Sequence, residues 1–131
     1  MTKNCPHPRR YVDPKETISR FVYDSSYIKN GVKQTVFRVD SDNTVSVFRI
    51  TDRSPEYIWN LCDNHARTNQ RAVGRAEFQA KAVTDLGLSF DPDGKPHTRH
   101  VAIVGWNPNK DSELDRRKEL ARLSTPFMRP A

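Results

Sequence analysis

The chain has 131 residues, with 22 Lys and Arg against 16 Asp and Glu (net charge +6) and only 35% hydrophobic residues. That length allows one domain with one core and excludes two. No apolar run nears the roughly 20 residues needed to cross a bilayer, and no basic-then-apolar leader opens the chain, so a cytoplasmic protein is expected.

Residues 1–16 contain Pro6, Pro8 and Pro14 among Lys3, Arg9, Arg10 and Lys15, which reads as an extended basic arm. Residues 17–24 (TISRFVYD) alternate as a first strand. Residues 35–39 (TVFRV) echo residues 46–50 (SVFRI) across an Asp/Ser/Asn cluster, which predicts a β-hairpin. The echo is too short and isolated for a repeat architecture.

Ser54-Pro55-Glu56 opens a helix: a hydroxyl cap, proline at the first position and an acid against the dipole. Its inward residues are Ile58, Leu61, Cys62 and Ala66, at helical spacing to about residue 66. A polar loop, 67–71, follows. A second helix is expected from about Arg75 to Leu86, with Gly87 as a left-handed cap. Residues 88–90 form a short strand before the turn Asp91-Pro92-Asp93-Gly94.

Residues 99–110 (RHVAIVGWNPNK) combine a strand that is apolar on both faces with a break at Gly105. A last helix follows, capped by Asn107 with Pro108 at its first position, and runs to about residue 123. The tail, 124–131, carries Pro126 and Pro130 and is expected to fray. The order predicts one α+β domain over residues 17–123, with an antiparallel or mixed sheet of about five strands and three helices.

The surplus of positive charge favours a polyanionic partner. Free amides at a helix N-terminus are a place to hold an anion, so Trp106, Asn107 and Lys110 are candidate ligand contacts with Arg99. Arg49 shares a strand face with Val45 and Val47. If that face is core, its guanidinium needs a carboxylate or a ligand phosphate; otherwise it lies along a sheet edge. Arg75, in the polar lead-in to the second helix, joins the same phosphate-binding set.

His100 is a candidate proton-transfer group, although a packed histidine with one satisfied nitrogen is the commoner role. Glu77 is a candidate for orienting a nucleophile, or else a first-turn acid complementing a dipole. Cys5, His7, Cys62 and His65 would together suit tetrahedral zinc. The proline-bound first pair and the helical second pair argue against it, so no metal or cofactor is expected. Arg116, Arg117, Lys118 and Arg122 alternate with Glu113, Asp115 and Glu119, the pattern of a solvated helix face. No zinc-finger, helix-turn-helix, Walker, GxGxxG, GxSxG or HExxH pattern is present.

The combination SVFRI, GRAEF and RHVAIVGW, followed by a charged helix, resembles a group of small bacterial hypothetical proteins over residues 17–123. The resemblance implies a bacterial or phage-related origin and no particular activity. Three functions fit: a module binding a nucleic acid or other phosphate-bearing ligand, a non-catalytic subunit meeting an acidic protein partner, and an enzyme acting on a nucleotide or nucleic acid. Binding ranks first, because Arg49, Glu77 and His100 form a catalytic set only if they converge in space.

Overall fold

The computed structural model describes residues 11–65, 71–95 and 97–130, His65 by its backbone alone. Its centre is an antiparallel sheet of six strands: β1 (Thr17–Val22), β2 (Val45–Arg49), β3 (Gly74–Gln79), β4 (Ser89–Asp91), β5 (His100–Val104) and β6 (Thr125–Met128). They lie in the order β4-β5-β2-β1-β3-β6. Three helices accompany them: α1 (Pro55–His65), α2 (Ala80–Asp85) and α3 (Lys110–Leu123). The domain is α+β, as its sequence predicts, with one strand more than expected.

Strand alternation divides the core in two. Ile18, Val22, Val45, Val47, Ala76, Phe78, Val101 and Ile103 bury one face with Val83 of α2, Leu120 and Ala121 of α3, and Trp106. Phe21 and Phe48 bury the other face under Ile58, Trp59, Leu61 and Cys62 of α1. β5 is therefore covered on both sides, which is why residues 101–104 are apolar throughout.

Two helix signals work as read. Ser54 Oγ accepts the Tyr57 amide at 3.1 Å and starts α1. Gly87, at φ +80°, closes α2, its amide bonding Thr84 O and that of Leu88 bonding Val83 O.

Four expectations are corrected. Residues 35–39 are not a strand: Gln34–Phe37 is a 3₁₀ turn. Val36 and Phe37 are consecutive yet both join the same core cluster, whereas consecutive strand residues point to opposite faces. The flanks of β2 are taken by β1 and β5, so no hairpin forms there. The predicted second helix is β3 followed by the short α2, because Ala76 and Phe78 point to the core while Arg75 and Glu77 point to the other face. Six residues of β3 pair with all six of β1.

The cap of α3 is Asn109, not Asn107; Asn109 Oδ1 accepts the amides of Asp111 and Ser112. Residues 124–131 do not simply fray, since Thr125–Met128 pair with Gly74–Glu77 as the sheet's outer strand. Arg129 then ties that strand to α1, its Nη1 and Nη2 donating to Asp63 Oδ1 and Oδ2 at 2.8 and 2.6 Å.

That pair gives an acid-dependent signature. Hydrogen bonding by Arg129 holds the Asp63 carboxyl below its ordinary range. Its stabilisation is therefore present above the unfolded carboxyl pKa of about 4 and is lost as pH falls through the lower folded value. Thermal melts from pH 5 to pH 2 should show a smaller acid-induced drop in Tm for Asp63→Asn than for the parent; parallel curves would contradict this.

Candidate anion-binding site

Arg49 is buried at 3% exposure, and its anion is internal. Its Nε and Nη2 donate to Glu16 Oε1 and Oε2, both at 2.7 Å, and Nη2 also reaches Tyr11 O at 2.9 Å. The guanidinium is thus a buried structural ion pair rather than a group lying on the sheet edge. Arg75 is paired as well, with Nε 2.8 Å from Glu77 Oε2. Its guanidinium packs between Trp59 and Phe127, 4.7 and 4.8 Å from their ring centres.

The catalytic trio does not assemble. Register puts Glu77 opposite Ser19 and His100 opposite Phe48, all on the α1 face, while Arg49 follows Val47 on the other face. Glu77 stands on a strand, so its reading as a first-turn helix acid lapses with that helix. His100 is packed edge-on to Phe48 with ring centres 5.3 Å apart. Its Nδ1 lies 2.7 Å from Asp93 Oδ1.

The turn from Gly105 to Lys110 also loses its anion-binding character. Trp106 is a core residue whose Nε1 donates to Ile103 O at 3.0 Å. Asn107 Oδ1 accepts the Asn109 amide. Lys110 begins α3 on the exterior, but Asp111 and Glu113 already supply negative charge in that first turn. A second anion there would meet like charge.

On the zinc set, Cys5 and His7 and the side chain of His65 lie outside the described residues. Burial pushes the Cys62 thiol up from its usual pKa, which opposes the thiolate that metal binding requires. Among the described residues, no three of His, Cys, Asp and Glu stand where they could share a metal ion.

Arg99 is different. It is 8% exposed, and its backbone is held to the end of β2 by Arg49 N donating to Arg99 O at 2.9 Å. Its Nε donates to Tyr57 Oη at 3.2 Å. No carboxylate lies within ion-pair distance of it among the described residues, and its terminal nitrogens carry no acceptor there. With Nε at the phenol oxygen, Arg99 engages Tyr57 at its hydroxyl edge, although its charge lies within 6 Å of the ring centre.

Arg53 meets the same ring. The chain leaves β2, turns through Asp52 at φ +58°, and delivers Arg53 one residue before the Ser54 cap of α1. The guanidinium carbon of Arg53 sits 5.5 Å from the Tyr57 ring centre. Its Nε is buried without a hydrogen-bond partner. Arg53 likewise has no carboxylate partner among the described residues.

Two guanidinium groups, a phenol and the first turn of α1 therefore share one corner of the molecule. Sequence reasoning reached Arg99 but missed Arg53 and Tyr57. A signal existed: an arginine just ahead of Ser54-Pro55 and an aromatic in the first helical turn. Nothing local joined them to Arg99, 42 residues from Tyr57 along the chain.

Comparison of this chain with protein-family models, curated proteins and solved structures found no match.

Proposed function

We propose that the protein is a small basic module that binds a phosphate-bearing ligand, nucleic acid foremost, at the corner formed by Arg53, Tyr57, Arg99 and the start of α1. One observation carries this reading. Arg49, Arg75, Arg117, Arg122 and Arg129 each hold a carboxylate, whereas Arg53 and Arg99 crowd one aromatic ring without one among the described residues. Two cations in such a setting repel each other and gain from a shared anion. Guanidinium groups suit phosphate because their donors match its oxygens in pairs.

The enzyme reading has less support, because Arg49 and Glu77 are each committed to an internal ion pair. A cytoplasmic setting agrees with the reading, since phosphate ligands abound there and a free buried thiol such as Cys62 persists in it.

Titration with inorganic tripolyphosphate, followed by calorimetry at two salt concentrations, tests the reading. Binding should weaken with salt. Arg53→Ala/Arg99→Ala should weaken it by about 100-fold, given charged hydrogen bonds of about 1.5–3 kcal/mol each. Absence of salt-dependent binding, or equal binding by the double variant, would refute it.

A further inference from the structure

At the opposite end of α1 the surface opens into a groove of about 370 Å³, with Arg20, Tyr23, Tyr27 and Arg38 among its walls. Tyr23 and Tyr27 are 41% and 36% exposed, two of the few large aromatic side chains the described fold leaves in water. Exposed aromatic faces beside arginines are the surfaces on which unpaired bases stack.

Arg20 forms the groove's fixed polar element. Its Nε donates to Val36 O at 3.0 Å and its Nη1 to Ser46 O at 2.8 Å, so the guanidinium is clamped by two carbonyls. Nη2 has no acceptor among the described residues, leaving a rigid donor at a wall of the groove. Asp24 at the rim is occupied, its Oδ1 accepting from both the amide and the hydroxyl of Ser26.

The charge balance specifies what fits. Asp40 acts on Arg20, while Asp24 at the rim is faced by Lys33 as well, so two carboxylates stand among three basic side chains. A groove with carboxylates among its basic side chains and two tyrosines in its walls suits a flat, uncharged ring bearing a carbonyl or ring-nitrogen acceptor better than a free phosphate. The phosphate-binding corner lies at the other end of α1. Tyr23 Oη, 3.6 Å from Cys62 Sγ, marks the groove's end of that helix. From Pro55 to Cys62 the helix rises about 10 Å, seven steps of 1.5 Å. That is about three nucleotides of a stacked strand at 3.4 Å each.

We propose that this groove takes one unpaired nucleobase, stacked on Tyr23 and Tyr27 and hydrogen-bonded by Arg20 Nη2. The ligand of the Arg53–Arg99 corner is then a single-stranded nucleic acid. The identity of that ligand rests on the phosphate-binding reading; the base groove itself does not.

Fluorescence anisotropy of labelled 12-nucleotide DNA and RNA strands, with a 12-base-pair duplex and tripolyphosphate as competitors, separates the two. The parent protein should prefer the strand to the duplex. Tyr27→Ala, an exposed position, should weaken strand binding about tenfold, and Tyr23→Ala/Tyr27→Ala should weaken it further. Tripolyphosphate affinity should stay at the parent value in both, and Tyr23→Phe/Tyr27→Phe should restore strand binding.

Equal affinity for strand and duplex, or strand binding unaffected by both Tyr27→Ala and Tyr23→Ala/Tyr27→Ala, would overturn the proposal. If the strand binds in a tyrosine-dependent way while tripolyphosphate does not bind at all, the groove stands and the corner reading falls. A preference for RNA over DNA, or the reverse, would identify which strand is bound and support the proposal either way.

Discussion

Glu16→Ala is expected to lower the unfolding free energy by about 3–5 kcal/mol in urea denaturation. The loss is large because it strands a charge rather than removing a contact. Arg49 is almost fully enclosed, and Glu16 supplies both oxygens that receive its Nε and Nη2. Without that carboxylate the guanidinium stays in a low-dielectric site with its compensating charge gone. Arg49→Met in the same background should recover much of the loss, since replacing both members of a buried pair by apolar groups is often close to neutral. A Glu16→Ala protein within about 1 kcal/mol of the parent would show that the pair is solvated and the site open, and would return Arg49 to the list of ligand contacts.

Phe37→Ala carries a comparable expected cost, about 3–5 kcal/mol by the same measurement. Phe37 is fully buried and meets Phe78 of β3 edge-on, ring centres 5.5 Å apart. It lies between the 3₁₀ turn and the sheet, in the cluster that also holds Leu120 of α3. Truncation removes transfer energy and leaves a cavity that three separate elements would have to close. A strand at residues 35–39, as the sequence pattern predicts, would send Val36 and Phe37 to opposite faces, whereas both lie in the one cluster with Leu120. A cost below about 1 kcal/mol for Phe37→Ala would contradict this packing.

The misreading of residues 35–39 has a plain cause. Thr, Val and Phe favour extended structure through side-chain packing on a pleated surface, but that preference is realised only where a neighbouring strand is available. β2 is already flanked by β1 and β5, so this segment caps the sheet instead. The error at residues 75–86 is of the same kind. Ala76, Phe78, Ala82, Val83 and Leu86 satisfy a helical spacing, yet β1 presents a full six-residue partner and captures the first half as β3. β6 was hidden because a segment with two prolines has weak strand character; it is tolerated at an edge, where a missing donor is not needed.

Local signals determined much of the architecture. The Ser54-Pro55 start of α1, the left-handed stop at Gly87 and the two-sided apolar strand at residues 101–104 each depend on neighbours a few positions away, so they can be read along the chain. One α+β domain with a basic surplus follows from length, order of elements and composition. Charge partners are another matter. Glu16 and Arg49 are 33 residues apart, and Arg99 and Tyr57 are 42 apart. Only the folded chain decides which arginine meets a carboxylate and which is left facing a tyrosine. The same arginine-rich sequence could place an anion site at Arg49, Arg75 or Lys110. Tertiary packing assigns carboxylates to the first two, puts acids beside the third, and brings Arg53 and Arg99 to one tyrosine with no carboxylate partner among the described residues.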